Sequence, residues 1–228
     1  MNADAPTCWT VIRAAAGGAA AERAAFAQRY AEPLRAYFTA RWRGGPQVQE
    51  AADAVQEVFL ECLRDGGALG RADPARGPFQ AFLHGVVRNV ARRFEERAAA
   101  RRAGTAGESV ELDALPLDEP SLSRVFDRAF AQALLREAAE LQARRAAAAG
   151  ERAVRRVELL RRRFGDDQAI RDVAASWGVT PAELHHEYAT ARREFLLALQ
   201  DVVAFHEPGA TPGEVLRRCS ELARLVAG

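Results

Sequence analysis

The sequence predicts an all-α protein made of two small helical domains joined by an acidic linker, with a helix-turn-helix in the second domain. Three observations support this. Alanine and arginine, both good helix formers, are abundant, and each of the 32 basic residues is an arginine. Apolar residues recur at spacings of three and four, and strand-forming residues nowhere alternate with polar ones. Hydrophobic residues make up 49% of the 228 residues, which is enough to bury a core in each domain.

A change in composition separates the first domain from the linker. Helical periodicity covers about residues 7–102, pauses at the glycine- and proline-containing segments 44–46 and 65–78, and predicts three or four helices. We therefore assign residues 1–102 to the first domain. Residues 103–121 contain glycines, prolines and five acidic residues but no arginine, which indicates an acidic linker.

A second helical domain and an amphipathic tail follow the linker. Periodicity predicts the second domain over residues 122–204 and the tail over residues 205–228. Within the tail, Thr211 and Glu214 have the spacing of a capping box that opens a last helix. Helices shorter than about 12–15 residues are marginal in water, so we expect the tail to pack on the second domain or on a partner. Its apolar residues are Val215, Leu216, Leu222, Leu225 and Val226.

Charge and cysteine content exclude several classes of protein. The net charge is only +1, so the composition as a whole indicates no charged partner. Cys8, Cys62 and Cys219 are far apart, which favours neither a disulfide framework nor a zinc site and fits a reducing cytoplasm. No apolar run approaches the roughly 20 residues of a membrane span, and the N-terminus lacks a signal-peptide pattern. We therefore expect a cytoplasmic protein that binds no membrane and needs no cofactor.

The helix predicted over residues 50–64 carries an acidic row beside its buried stripe. Asp53, Glu57 and Glu61 repeat every four residues on one face, with Gln56 beside them. Such a row is either a solvated face or a docking face for a basic helical partner, in which complementary charge sets orientation and association rate. The buried stripe consists of Ala51, Val55, Val58, Phe59 and Cys62.

The next helix combines a core stripe with a basic stripe. From Arg88 to Arg102 six arginines stand against two glutamates, and a basic helical stripe is an electrostatic footprint for phosphates. Asn89 lies on this stripe and could make paired hydrogen bonds to a base edge. The alternative is an ordinary exposed helix in an arginine-rich chain. The core stripe consists of Phe79, Leu83, Val86, Val90 and Phe94. The candidate DNA-binding residues are Arg88, Asn89, Arg92, Arg93, Arg97 and Arg101.

Residues 169–184 have the pattern of a helix-turn-helix. Gly178 supplies the turn, Thr180 is an N-cap, Pro181 takes the first helical position and Glu183 completes a capping box. The second helix of this motif enters the major groove in DNA-binding proteins. A tight helical hairpin without a DNA role is the alternative. The apolar residues that would pack the pair are Ile170, Val173, Ala174, Trp177, Val179, Leu184 and Tyr188.

The second helix of this motif has few basic residues at its start. Glu187 follows two adjacent histidines, which point about 100° apart on a helix and are therefore a poor metal pair, so no metal site is expected. The candidate DNA-reading residues are Thr180, Glu183, His185, His186, Arg192 and Arg193. A denser basic patch upstream could hold the DNA backbone and consists of Arg152, Arg155, Arg156, Arg161, Arg162 and Arg163.

In this order, the three patterns resemble a sigma factor of the sigma-70 family, of the extracytoplasmic-function type, over about residues 20–204. The segment 53–59 looks like region 2.2, which docks on the clamp helices of the largest polymerase subunit. The segment 79–91 looks like the region 2.3–2.4 helix, although Phe82 stands where the family usually has tryptophan. Asn89 occupies the place of the asparagine that lines the family's base pocket. The helix-turn-helix is similar to region 4.2, which binds the −35 element.

The resemblance implies core RNA polymerase and promoter DNA as partners and leaves open an anti-sigma factor or another regulator. It implies that Asp53, Gln56, Glu57 and Glu61 bind polymerase. By the same resemblance, the basic stripe binds and opens the −10 element, and the helix-turn-helix residues bind the −35 element. The acidic linker matches the family's inter-domain segment, which passes through the RNA channel.

Two other functions remain open at this stage. A stand-alone helix-turn-helix regulator would need a dimerisation element and no polymerase-binding face. A helical adaptor derived from a sigma factor would retain the fold without the DNA contacts. Enzymatic activity is not expected, because there is no phosphate loop or nucleophile elbow and the carboxylates lie on amphipathic faces without catalytic spacing.

Overall fold

The computed structural model describes residues 8–104 and 118–227, in which all regular secondary structure is helical and no strand occurs. The first four helices are α1 (Cys8–Ala16), α2 (Ala20–Arg41), α3 (Ala51–Leu63) and α4 (Phe79–Gly104). Short 3₁₀ turns connect them at Pro46–Glu50, Ala68–Arg71 and Pro74–Arg76. The remaining helices are α5 (Glu119–Ala149), α6 (Glu151–Phe164), α7 (Ile170–Trp177), α8 (Pro181–His206) and α9 (Pro212–Ala227). The predicted all-α class is confirmed.

The chain divides into two compact units. Unit 1 comprises the described residues up to Ala133 together with His206–Pro208 and those from Arg224 on. Unit 2 comprises Leu134–Phe205 and Gly209–Ala223. The division between the units therefore falls inside α5. Most of the predicted linker, residues 105–117, lies outside the described residues.

The core of unit 1 is built around aromatic side chains of α2. Phe26, Tyr30, Tyr37 and Phe38 are each almost completely buried. Phe79 of α4 meets the first two of these rings at centroid distances of 6.0 and 5.4 Å. The core stripe predicted for α4 is buried at every position, which confirms the helical periodicity of that segment.

Helix α3 buries most of the residues that its apolar spacing predicts to be buried. Ala51, Val55, Val58 and Cys62 are buried, whereas Phe59 is only half-buried and meets Phe26 edge-on at 5.9 Å. Ala54 is buried as well, because its small side chain lies on the edge of the same stripe against the neighbouring helices. The opposite face of α3 is consequently open to solvent.

The first half of α5 belongs to unit 1, which differs from the expectation of a linker through residue 121 and a second domain from residue 122. Leu122, Phe126 and Phe130 are buried at four-residue spacings along α5. Phe126 packs on His84 at 5.3 Å, and Phe130 stacks on Tyr30 at 6.0 Å. This apolar face finds its partner in the core of unit 1, so the helix already begins at Glu119.

Unit 2 contains two helices joined by a tight turn, in agreement with the geometry predicted for residues 169–184. Leu159, Val173, Ala174 and Leu184 form its buried cluster. Gly178 adopts the left-handed conformation with φ of 66°, which a residue with a Cβ rarely adopts. The partly buried residues packed against this cluster are Ile170, Trp177, Val179 and Tyr188.

The tail forms α9, and one face of it is buried. The predicted capping box is present, since the Thr211 amide donates to Glu214 at 2.7 Å and the Glu214 amide donates to the Thr211 hydroxyl at 3.4 Å. Val215, Cys219 and Leu222 are buried, so this face of the tail is packed within the protein. Of the other predicted apolar residues, two are exposed, namely Leu216 and Leu225.

The three cysteines are buried and in the thiol form. Burial, together with a smaller contribution from the neighbouring Glu61, raises the pKa of the Cys62 thiol to about 12, so this thiol is unreactive at neutral pH. Among the described helices none combines the length and apolar character needed to cross a membrane.

Candidate functional site

The open face of α3 is centred on Asp53 and Leu60. Asp53 and Gln56 are exposed, and Leu60 lies two turns from Asp53 with 64% of its surface exposed. Residues seven apart on a helix share a face, so these side chains form one outward surface, which we call the α3 outer face. Leu60 was not among the candidate residues. Its position outside the buried stripe was the signal that could have found it.

Glu57 and Glu61 turn away from the α3 outer face towards α4. Arg93 lies between them, with its Nη2 at 3.7 Å from the Glu57 Oε1 and 3.4 Å from the Glu61 Oε2. Arg64 donates to Glu61 at 3.0 Å, and Arg71 lies at 3.9 Å. Burial alone would raise the pKa of Glu61, but the hydrogen bonds and charges of Arg64 and Arg93 hold it below the ordinary value. The acidic row is thus partly neutralised within unit 1.

The basic stripe of α4 is also largely paired inside the unit. Arg88 lies 3.2 Å from Glu119, Arg92 lies 3.7 Å from Glu96, and Arg101 lies 2.8 Å from Glu50. Together with Arg93, four of the five predicted arginines therefore contact carboxylates. These ion pairs are exposed for the most part, and such pairs contribute only about 0–1 kcal/mol each, so a phosphate can exchange with them.

Arg97 and Asn89 differ from the rest of the stripe. Arg97 is exposed, packs over the Phe94 ring at 5.6 Å and has no acidic partner among the described residues. Asn89 is exposed, and its side-chain amide makes no hydrogen bond to any residue that the structure describes. An amide with unused donors and acceptors is the arrangement that base recognition requires.

Asn89 lines a basic cavity of about 360 Å³. Gly85 lies one turn before it, and a Cβ at this position would meet open space, so the backbone forms part of the cavity wall. Arg88 and Arg92 come from the same helix, whereas Arg41 comes from the end of α2. The cavity is completed by the carboxylate of Glu119.

Arg41 was missed by sequence reasoning, because its place beside Asn89 depends on the packing of α2 against α4. Its Nε and Nη2 donate to the Glu95 carboxylate at 2.6 and 3.1 Å, and its Nη1 donates to the Tyr37 hydroxyl at 3.0 Å. Nη1 also donates to Glu119. Glu95 and Tyr37 thereby hold the guanidinium in a fixed orientation towards the cavity.

The ion pair beneath the cavity makes stability dependent on pH. Burial alone would raise the pKa of Glu95, but hydrogen bonds from Arg41 and Trp42 lower it below its ordinary value of 4.5. A depressed carboxyl pKa stabilises the fold above the unfolded-state value, and this contribution is lost as the pH falls through the folded-state value. We expect the free energy of unfolding to decline below about pH 4.5, and Glu95→Gln to weaken that decline. Urea unfolding across this pH range measures the free energy of unfolding. The control is Glu96→Gln, which should keep the wild-type dependence on pH because the Glu96 side chain is 67% exposed.

In unit 2, the structure explains the acidic residue in the second helix of the predicted motif. Glu187 of α8 pairs with Arg156 at 3.4 Å and accepts a hydrogen bond from the Arg152 Nε at 3.1 Å, both from α6. Arg156 also donates to Glu194 at 2.6 Å. Glu187 is therefore directed to α6 and neutralised there, so it does not present an acid to a DNA surface.

The six candidate DNA-reading residues fall into two groups. Thr180 and Glu183 are engaged in capping α8, since the Thr180 amide donates to Glu183 at 3.0 Å and the Glu183 amide donates back to the Thr180 hydroxyl at 3.3 Å. The other four are exposed. Residues seven apart lie on one face of a helix, so His185 shares a face with Arg192, and His186 shares a face with Arg193. Arg192 lies over the Tyr188 ring at 5.8 Å.

The upstream basic patch of α6 is mostly neutralised, which differs from the expectation of an open phosphate-binding surface. Arg161 and Arg162 donate to Glu158 at 2.8 and 2.9 Å and lower the pKa of that carboxyl to about 2. Arg163 pairs with Asp167 at 3.1 Å. The remaining member, Arg155, stacks on the Trp177 ring at 4.6 Å.

Comparison with known protein families identifies the first of these regions. Residues 26–102 match the family model of sigma-70 region 2, a span that covers α3 and α4 with the α3 outer face and the basic stripe. The matched stretch is therefore similar to a sigma-70 region 2 domain. This family is a transcription-factor domain without enzymatic activity, in agreement with the prediction that the chain is not an enzyme. No curated protein and no solved structure matches the chain.

Proposed function

We propose that this chain, a member of the sigma-70 family through its region 2 domain, is an extracytoplasmic-function sigma factor that directs promoter recognition and DNA opening by core RNA polymerase. The match over residues 26–102 is the observation that carries the proposal. The sequence assigns −35 recognition to residues 122–204, and the helix-turn-helix of this segment belongs to unit 2. Such a protein acts in the cytoplasm with the polymerase.

The α3 outer face is the proposed polymerase-docking surface. It combines exposed charge at Asp53, exposed amide at Gln56 and a large exposed apolar side chain at Leu60. Interfaces bury apolar anchors at their centre and place polar groups at the rim, and complementary charge orients the encounter. Glu57 and Glu61 lie at the edge of this surface, where their pairing with Arg93 limits the charge that they offer.

The α4 stripe is the proposed −10 surface. Asn89 presents an unpaired amide in a basic cavity large enough for a base, and Arg97 lies two turns further along the helix. Arg88, Arg92, Arg93 and Arg101 surround them and exchange carboxylates for phosphates when DNA binds. Base contacts specify the sequence, whereas phosphate contacts position the strand.

The pair α7–α8 is the proposed helix-turn-helix for the −35 element. Its turn at Gly178 and the capping box at the start of α8 fit the motif. His185, His186, Arg192 and Arg193 are the exposed residues that would reach DNA, whereas Thr180 and Glu183 hold the helix start in place.

A helical adaptor derived from a sigma factor is the second candidate, and one observation favours it. Most arginines of the α4 stripe and of α6 are paired with carboxylates of the same unit, as expected if these surfaces no longer bound nucleic acid. The two functions predict different behaviour with core polymerase. An adaptor derived from a sigma factor need not support initiation.

The deciding experiment uses the full chain and purified core RNA polymerase. Co-purification of the two, followed by transcription from a promoter library with randomised −10 and −35 elements, should give initiation that depends on the chain. Enriched promoters would then define both elements. Binding to core polymerase without any transcript from the library would favour the adaptor, and absence of core binding would contradict the proposal.

Asn89 and Arg97 should affect DNA binding by the holoenzyme in different ways. Asn89→Ala should cost about 1–3 kcal/mol at a single position of the −10 element, because it removes a base-edge contact. Arg97→Ala should weaken binding to all promoters alike and reduce the slope of log K against log salt by about one, because it removes a phosphate contact. Titration of promoter variants at several salt concentrations measures both. An equal loss on every variant for Asn89→Ala would contradict base reading.

A further inference from the structure

The cavity beside Asn89 holds a carboxylate of the chain itself. Glu119, the first residue of α5, accepts a hydrogen bond from the Arg41 Nη1 and lies 3.2 Å from the Arg88 Nε. The two arginines come from α2 and α4, so the carboxylate is held from two sides. It occupies the basic part of the cavity that the proposed function assigns to the −10 element.

The packing of α5 on unit 1 positions Glu119 in the cavity. Leu122, Phe126 and Phe130 follow it along one face of α5 and are buried in unit 1. Asp127 accepts a hydrogen bond from the Gln80 amide of α4 at 2.5 Å, on the same side of the unit. The backbone position of Glu119 is thus determined by tertiary packing, which brings its carboxylate within reach of the two arginines.

The chemistry of the two arginines matches a phosphate. Arg41 uses Nε and Nη2 on Glu95, and its Nη1 donates both to the Tyr37 hydroxyl and to the anion in the cavity. Arginine binds carboxylate and phosphate oxygens through the same charge-assisted hydrogen bonds. A carboxylate that bridges two arginines beside a base-reading amide therefore stands where the phosphate of a bound nucleotide would lie.

We propose that Arg41 and Arg88 bind the backbone phosphate of the nucleotide whose base Asn89 contacts, and that Glu119 occupies this phosphate site in the unbound protein. The proposal rests on the proposed function and adds to it a phosphate-binding residue, Arg41, and an internal competitor, Glu119. Single-stranded DNA must displace the Glu119 carboxylate before it enters the cavity. The free chain is consequently restrained in its binding of nucleic acid.

The test compares two variants of the full chain that each remove one negative charge. Glu119→Gln removes the competitor, whereas Asp118→Asn changes the neighbouring exposed carboxylate, which caps α5 by accepting from the Ser121 amide at 3.0 Å. Asparagine caps helices as well as aspartate does, so the control keeps the helix start. The probe is a fluorescent single strand of about twelve thymidines, within the usual length of single-strand sites, and polarisation measures its affinity.

We expect Glu119→Gln to bind the probe about five- to tenfold more tightly than wild type, because one charge-assisted contact no longer competes. The salt dependence should become steeper by about 0.7 in log slope, as expected for one additional phosphate contact with single-stranded DNA. Asp118→Asn should stay within about twofold of wild type. Equal gains in the two variants, or none in Glu119→Gln, would overturn the proposal.

A second pair of variants tests the arginines without disturbing the fold. Arg41 also bridges Glu95 and Tyr37, so its replacement risks unfolding, whereas the Arg88 side chain is 55% exposed and tolerates truncation. In an Arg88→Ala background the gain from Glu119→Gln should fall to less than about half, because contacts that share a site are not additive. A full gain without Arg88 would contradict a shared phosphate site. Thermal unfolding of each variant verifies that the chain remains folded.

The same protein preparation separates this proposal from the proposed function. A chain that binds core polymerase and initiates transcription, but shows no selective gain in Glu119→Gln, overturns only the phosphate-site proposal. A chain that does not bind core polymerase, but shows the selective gain that depends on Arg88, overturns the sigma-factor function and supports a single-strand site in a protein of another role.

Discussion

Leu60→Asp is expected to lower the affinity of the chain for core RNA polymerase by about 100-fold, while the helical circular dichroism spectrum stays unchanged. Leu60 is 64% exposed at the centre of the α3 outer face, so the substitution removes nothing from the core of unit 1. In the complex the same position would be a buried apolar anchor. A carboxylate buried there without a partner would cost several kcal/mol of binding free energy, because the central apolar contact is lost and the charge is not compensated. Quantitative co-purification or interferometry with immobilised core polymerase measures the change.

The matched control for this result is Leu216→Asp. Leu216 of α9 is 48% exposed, and its replacement introduces the same charge at a similarly accessible leucine outside the docking surface. Its affinity for core polymerase should remain within about twofold of wild type. Asp53→Arg, on the same face as Leu60, should also weaken binding, since it reverses a charge that would orient the proposed complex. Unchanged affinity in both Leu60→Asp and Asp53→Arg would place the docking surface elsewhere.

Phe126→Ala should destabilise unit 1 by about 3–5 kcal/mol, the usual cost of truncating a buried phenylalanine. Phe126 is 1% exposed and packs on His84 and Tyr37 at 5.3 and 6.5 Å. Its removal leaves a cavity between α5, α2 and α4 that the surrounding rings cannot fill. Urea unfolding followed by circular dichroism and by the fluorescence of tryptophans in unit 1 measures the loss.

A second phenylalanine provides the comparison. Phe164 is 69% exposed at the end of α6, so Phe164→Ala should change stability by no more than about 0.5 kcal/mol. If the first half of α5 were a loosely attached linker, Phe126→Ala would be as mild as Phe164→Ala. This pair of variants therefore decides whether residues from Glu119 to Ala133 are an integral part of unit 1.

The local elements of this protein follow from its sequence, because they depend on residues a few positions apart. The spacing of Phe79, Leu83 and Val86 is enough to predict the buried face of α4, since 3.6 residues complete a helical turn. The capping boxes at Thr180 and Thr211 are equally local, because each joins a side chain to an amide three residues away. The α3 and α4 patterns also led to the sigma-70 resemblance, which the family match to residues 26–102 supports.

The distribution of charge was decided by the tertiary structure. On the sequence, Glu57 and Arg93 belong to two separate stripes, and nothing in their spacing shows that α3 and α4 pack so that the residues meet at 3.7 Å. Glu187 was an anomaly in the predicted recognition helix until its pairing with Arg152 and Arg156 of α6 accounted for it. Pairing between helices depends on how they pack, which periodicity along one helix does not specify.

The composition of the basic cavity was decided in the same way. Arg41 and Glu119 lie 48 and 30 positions from Asn89 along the chain, yet both line its cavity. The sequence before Leu122 is acidic and contains prolines, and this composition predicted a linker. The three apolar residues spaced by four that follow it were not sufficient to predict that the helix packs on the first domain. In the structure, Leu122, Phe126 and Phe130 are buried together, and the two phenylalanine rings contact aromatic side chains of α2 and α4. Burial against distant elements, which no local pattern contains, brought Glu119 to the arginines.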